Sequence, residues 1–483
     1  MHLPALSDRL RVTFVCRHWR RAFLQHSTLW SQLHLTGWIG QPLVKTLLGR
    51  VKGSPLDITL NYYESPVYDL TLLSPLTQQI RSLEIQSACS DKVQDLSMAI
   101  SGPLPLLDTL KIDAEGYPGG PRSLVAPTLP LFETATNLKN FDLHIDEFPS
   151  LRHFTFPNLT TLNFSTSITP YPVSELLYFL EASPALRWIW MRIETDRFHE
   201  DVPLGRIIVL PCVKTFLLDI TSYGPGCEIS THISCPFAKR VEFEHGLECA
   251  GDDVPAVIYP PSTPWNAIVH QYIEGTVERV VLEMTMDENF HIYCSITFRS
   301  SDRTNLKLCY IHHTGEVEYE MEAILEERIP SILSQALQVI RHHPLLANIK
   351  HLYIRGGNLV GGNLELVTNA VGRLLGSMGP LENLTLDGCD LRPYLDAFLD
   401  APQFPEAIQP TSFPPIKELA IISPVQSFHD DKVYADAIVK LTRSQHTRGV
   451  PFERVELKVP PLVIDELTAF VETMETLSDE DES

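Results

Sequence analysis

The sequence is short of positive charge, of paired cysteines, of glycine and of long apolar runs, and each shortage excludes something. Lys and Arg number 38 against 60 Asp and Glu, a formal net charge of −22. A chain this acidic lacks the basic surface that nucleic acid or an anionic bilayer attracts, so neither is an expected partner. Nine cysteines stand at 16, 89, 212, 227, 235, 249, 294, 309 and 389. Their number is odd and no Cys-x-x-Cys occurs, which favours buried free thiols over a disulfide framework. No apolar run approaches the ~20 residues of a membrane-spanning helix, and the first 30 residues contain no uninterrupted apolar segment of a secretory signal. A cytoplasmic or nuclear location is the corresponding expectation.

Catalytic patterns are also missing. His199-Glu200 is followed by Pro203 rather than by the second His of a zinc protease, and no Gly-x-Ser-x-Gly elbow occurs. The run Gly356 to Asn363 lacks the Lys and Ser/Thr of a phosphate loop. His312-His313 and His342-His343 have no Cys or carboxylate at ligand spacing, and adjacent strand residues point to opposite faces. No enzyme, cofactor or metal site is expected. Triplets of glycosylation type at Asn158, Asn163 and Asn383 each overlap a strand-like segment and read as coincidence.

What the sequence has is a recurring triplet of apolar residues. Thirty-seven prolines against 24 glycines suggest short elements ended by stiff turns. Between them recur Ile80-Arg-Ser-Leu-Glu-Ile85, Leu107-Asp-Thr-Leu-Lys-Ile112, Leu138-Lys-Asn-Phe-Asp-Leu143, Leu159-Thr-Thr-Leu-Asn-Phe164, Leu186-Arg-Trp-Ile-Trp-Met191 and Val213-Lys-Thr-Phe-Leu-Leu218. Later copies begin at Ala238, Ile349, Leu381, Ile416 and Phe452. Each fits L-x-x-L-x-L: the fourth and sixth residues share one face of a strand, and the first packs the entry bend. Start-to-start spacings of 27, 31, 21, 27 and 27 lie in or near the leucine-rich-repeat range of ~20 to 29. A single unit cannot bury its apolar face, whereas stacked units can.

Helical periodicity falls between these strands at 173–183, 329–342, 363–377 and 430–442. The spacing therefore predicts an α/β fold, a leucine-rich-repeat solenoid with a curved parallel sheet on one face and helices on the other. A polar, Pro-rich linker at 251–264 interrupts it, followed by four strands at 277–286, 290–299, 306–312 and 317–321 that read as an antiparallel meander. An amphipathic helix at 465–477 is expected to cap the last repeat, ahead of the acidic tail 478–483. The expected domains are 1–36, a first repeat block at 37–250, linker and meander at 251–328, a second repeat block with its cap at 329–477, and the tail.

On a helical wheel Val12, Val15, Cys16, Trp19 and Phe23 share a face suited to a core, while Phe14 lies among Arg17 and Arg21 on the charged side, where a large apolar residue often marks a protein contact. Val15-Cys16-Arg17-His18-Trp19 resembles the Val-Cys-(Arg/Lys)-x-Trp helix of the F-box family, and Leu29-Trp30 its later Leu-Trp pair. About 30 residues carry the resemblance, and repeats like those behind them follow the motif in many F-box proteins, fungal ones especially. The resemblance implies a substrate-recruiting subunit of a cullin-RING ubiquitin ligase. Leu10, Phe14, Val15, Cys16, Trp19 and Trp30 would bind the small adaptor subunit, and the repeats an unidentified protein target. The family begins with Leu-Pro-x-Glu and a hydrophobic helix roughly 20 residues earlier, whereas Leu3-Pro4 precedes Arg9 by only five positions. Two expectations stand side by side: the start codon is placed too late, or the helix is genuinely lost, in which case adaptor binding is expected to be weaker or absent. The alternative expectation is an interaction scaffold with no ligase role, its amino-terminal remnant capping the first repeat.

Overall fold

The structure is a computed structural model that describes residues 14–35, 40–61, 70–86, 95–96, 98–100, 102–114, 135–145, 155–166, 171–195, 198–199, 206–222, 229, 232–248, 277–286, 292–300, 305–313, 349–356, 381–387, 416–422, 431–447, 451–458 and 473–476. The chain divides into two compact units, Met1–Ile220 with His232–Phe237, and Thr221–Thr231 with Ala238–Ser483. The class is α/β, with extended, mostly parallel sheet and few helices.

The first unit contains β1 (Gln32–Leu35), β2 (Leu56–Asn61), β3 (Ile80–Gln86), β4 (Thr109–Ala114), β5 (Asn140–Ile145), β6 (Thr161–Thr166), the short β7 (Tyr171–Pro172), β8 (Trp188–Thr195), the short β9 (Phe198–His199) and β10 (Ile208–Val209), β11 (Thr215–Ser222) and the short β12 (Ile233–Ser234). β1 to β6 and then β8 pair successively in parallel, and β11 pairs with β8. The register aligns the fourth triplet positions into one column, Leu33, Ile58, Leu83, Leu110, Phe141, Leu162 and Ile189. All are buried, as is the sixth-position column from Leu35 to Met191. Full burial of such a side chain contributes about 1.5–3 kcal/mol, so the columns are the cohesive element of the unit.

The first triplet position closes a turn. Leu107, Leu138, Leu159, Leu186 and Val213 are buried, and each donates its N–H to the carbonyl three residues earlier. The next carbonyl then accepts two N–H groups from the following repeat: Asp108 from Lys139 and Asn140, Lys139 from Thr160 and Thr161, Thr160 from Arg187 and Trp188. One strand's entry thus fixes the next strand's register.

The α-helical elements bounded within the described residues are α1 (Arg17–Gln25), α2 (Gln41–Val51), α3 (Val173–Glu181) and α4 (Asp431–Thr447), besides 3-10 helices at Ser27–Trp30 and Leu70–Gln79. α2 buries Val44, Leu47, Leu48 and Val51 and ends at Lys52 (φ 47°) and Gly53 (φ 82°), where glycine meets the left-handed backbone without steric cost. α3 occupies the expected segment. Its Phe179 meets Phe141 and Phe156 edge-on at 6.3 and 5.9 Å, tying helix to sheet. α4 runs five residues past its expected end at 442, where Gln445 is buried.

The second unit contains β13 (Arg240–Glu248), β14 (Val277–Met286), β15 (Ile292–Ser300), β16 (Asn305–His313), β17 (His351–Gly356), β18 (Leu381–Asp387), β19 (Ile416–Ile422), β20 (Arg454–Lys458) and β21 (Thr473–Thr476). β14, β15 and β16 form the expected antiparallel meander. It lies in the sheet in reversed order, however: β13 pairs in parallel with β16, and β14 in parallel with β17. β17 to β21 follow in parallel.

One expectation is corrected at the carboxyl end. Residues 473–476 of the anticipated cap helix form β21, in register with β20, so hydrogen bonds to an open strand edge outweigh the local helical period. The helical segments 329–342 and 363–377, the linker 251–264, the strand 317–321, the tail and Leu10 lie outside the described residues. Among the described residues no helix is long and apolar enough to cross a membrane.

Candidate functional site

The amino-terminal segment is organised by Cys16. Its backbone is extended (φ −158°, ψ 168°), and its Sγ accepts the Trp19 N–H at 3.4 Å. The Cys16 carbonyl accepts the Arg20 N–H at 2.9 Å. A side chain that captures a first-turn N–H sets the start of a helix, so α1 begins at Arg17 and Val15 and Cys16 precede it. This corrects the wheel that placed them with Trp19 and Phe23 on a core face. α1 has no buried residue at all.

Phe14, Val15 and Trp19 are 75%, 69% and 56% exposed, and Cys16 is exposed too. Four of the proposed contact residues thus lie on open surface within six consecutive positions. The Arg20 guanidinium sits 6.0 Å from the Phe14 ring centroid, and α1 carries Arg17, His18, Arg20 and Arg21 with no acid. In a chain of net charge −22, this apolar and basic patch suits an apolar surface rimmed by acids.

Trp30 stands apart from these residues. It is 1% exposed, packs edge-on against Phe23 with centroids 5.4 Å apart and donates its indole N–H to the Phe23 carbonyl at 3.1 Å. The Arg50 guanidinium of α2 lies 4.7 Å from its ring centroid. Trp30 is therefore core and is corrected as a contact residue. The sequence signal is present: Trp30-Ser-Gln-Leu33-His-Leu35 is itself a triplet with Trp at the first position, and β1 enters the columns through Leu33 and Leu35.

The face of the sheet opposite the columns is polar, and neighbouring strands bond across it. In the first unit Thr59 donates to Glu84 at 3.3 Å, Asn61 to Gln86 at 3.3 Å and Asn140 to Thr109 at 3.2 Å, and within β3 Gln86 donates to Glu84 at 3.0 Å. Arg81 forks onto Asp57 through Nε at 2.9 Å and an Nη nitrogen at 2.6 Å, a bond that holds its guanidinium more firmly protonated. Asp57, Thr59, Arg81, Glu84 and Thr109 border a shallow cavity of about 350 Å³, with Gln32, His34, Ser82 and Asp108. Further along, His144 Nε2 lies 3.1 Å from Asp142 Oδ1 and stacks on Trp190. Arg192 faces Asp219 at 3.5 Å.

The second unit repeats the pattern. Asn383 donates to Glu418 at 3.0 Å, and the Tyr353 hydroxyl donates to Asp387 at 2.5 Å beside Arg355. Burial and the Asp387 bond push the Tyr353 phenol up to about 12. No family model and no curated protein matches this sequence. What the chain does is therefore read from its two kinds of surface, the exposed amino-terminal patch and the polar sheet faces.

Thiol placement also differs from expectation. Of the three cysteines whose side chains are described only Cys235 is buried, while Cys16 and Cys212 are exposed, because both stand ahead of a repeat element rather than in the columns.

Proposed function

We propose that this chain is the substrate-recruiting, F-box type subunit of a cullin-RING ubiquitin ligase, and that its sheets are leucine-rich-repeat arrays whose polar faces bind a protein target. The observation that carries the reading is the exposure of Phe14, Val15 and Trp19 beside a helix with no buried residue, directly ahead of the first triplet. Large apolar side chains exposed together are costly unless a partner covers them. The residues that match the F-box pattern are those left open, with Trp30 now excepted. The arrays supply a broad, pre-bonded polar surface, and transfer chemistry falls to other subunits, in the cytoplasm or nucleus where such ligases operate.

A second reading has its own observation. Phe23 and Trp30 close the first repeat against solvent, as the end of any repeat array requires, so the amino-terminal segment also makes sense as a cap on a scaffold without ligase function. A pull-down of the purified chain with the adaptor separates the two. Binding that Phe14→Ala with Val15→Ala reduces at least tenfold, the circular dichroism spectrum being retained, supports the ligase reading. Absence of binding, or binding untouched by the double substitution, removes this contact face.

A further inference from the structure

At the middle of the first unit's polar face lies a cluster that the docking of an adaptor does not use. His144 Nε2 approaches Asp142 Oδ1 at 3.1 Å and Asn163 Nδ2 at 3.4 Å. Its ring stacks on Trp190 with centroids 6.0 Å apart and planes 25° apart. Strand register holds the parts in place: Asp142 stands opposite Asn163, and Asn163 opposite Trp190. We propose that His144 is a proton-operated element of this face, whose protonation removes one negative charge from its centre and is sensed by Trp190.

The chemistry follows from the contacts. An imidazole carrying a proton on both nitrogens gains a carboxylate partner in Asp142 and lies over the negative π-face of Trp190. Asn163 adjusts by turning its amide oxygen toward Nε2, an exchange that an amide makes without moving its backbone. The remaining charges facing His144 come from neighbouring strands. Asp113 of β4 stands directly opposite and favours the imidazolium. Lys111 of β4, opposite Asp142, opposes it, as does Arg192 of β8, whose charge is offset by Asp219 of β11 at 3.5 Å. Lys111 itself lies between Glu84 and Asp142 in the register, so a protonated ring finds carboxylates on either side of it in Asp142 and Asp113. If the polar face receives the target, as proposed above, target binding is linked to this proton.

The test needs neither target nor adaptor. Tryptophan emission of the full chain is followed from pH 8.5 to pH 5, because a protonated imidazole stacked on an indole quenches it. The expected result is a one-proton loss of emission that is absent in His144→Gln and in Trp190→Phe and shifted to lower pH in Asp142→Asn, the circular dichroism spectrum unchanged throughout. A transition that persists in a folded His144→Gln, or that does not move in Asp142→Asn, overturns the proposal. Should His144→Gln fail to fold, Asp142→Asn decides. Failure here leaves the reading of the amino-terminal patch standing, and failure of adaptor binding leaves this test intact.

Discussion

Replacing Trp30 by alanine separates a core tryptophan from a partner-facing one. The side chain is buried, and truncating a buried aromatic costs about 3–5 kcal/mol. Within that sum fall an edge-on contact with Phe23, worth about 0.5–1.5 kcal/mol, and an indole N–H bond to the Phe23 carbonyl, worth about 0.5–1.5 kcal/mol. The parts overlap, so ~4 kcal/mol is the expected loss. Repeat arrays transmit such losses mainly to nearest neighbours. The effect should therefore concentrate in β1 and β2 and fade before β5. Hydrogen exchange reads this directly: at 1.4 kcal/mol per factor of ten, protection at 32–35 and 56–61 should fall by roughly a thousandfold where local opening governs exchange. Trp19→Ala is the control. Trp19 is mostly exposed, and its loss should stay within about 0.5 kcal/mol. If Trp30→Ala leaves protection of β1 and β2 within tenfold of the parent while Trp19→Ala lowers it, the assignment of core and surface is reversed.

Other outcomes are equally specific. A Cβ on Gly102 would meet the buried Thr77 Oγ1 at 2.7 Å, so Gly102→Ala should lower stability by about 1–3 kcal/mol, and adding Thr77→Ala should recover most of it in thermal denaturation. The Tyr353 phenol, raised from 10.0 to about 12, holds its proton in the folded state while the unfolded chain loses it. Its contribution to stability is complete below pH 10 and is lost as pH rises toward 12, and Asp387→Asn should lower the titration seen in ultraviolet difference spectra against Tyr353→Phe. Burial pushes the Cys235 thiol up to about 12, so iodoacetamide on the native chain, read by peptide mass mapping, should label Cys16 and Cys212 and spare Cys235.

Much of the fold is legible in the sequence because burial repeats itself there. Leu107, Leu110 and Ile112 recur as Leu138, Phe141 and Leu143, and the same spacing of three then two selects the core of each strand. Trp30 escapes that pattern because tryptophan replaces the usual leucine and because Leu29-Trp30 has a ready second meaning. Cys16 escapes through its side chain: a helical wheel carries no information about which sulfur captures an N–H and where the first turn begins. The reversed order of β14 to β16 leaves no local trace, since β13 and β16 are paired across 56 intervening residues between Glu248 and Asn305 at their nearest ends. The polar face is the least legible part. Its residues occupy the x positions of each triplet, where the demand is only for solubility and cross-strand bonding, so Asp142, Asn163 and Trp190 become a group only once register brings them side by side.

The reversed meander obeys a parity rule. β14 runs with β17, β16 runs with β13, and β15 alone opposes them all. Only an odd number of antiparallel strands can be spliced into a parallel sheet and leave both flanks facing partners that run their own way. Three strands satisfy this, as one would, and two or four would strand a flank against an opposed neighbour. Removing all three would leave β13 and β17 running the same way, so the direction of the parallel strands carries through the meander unchanged.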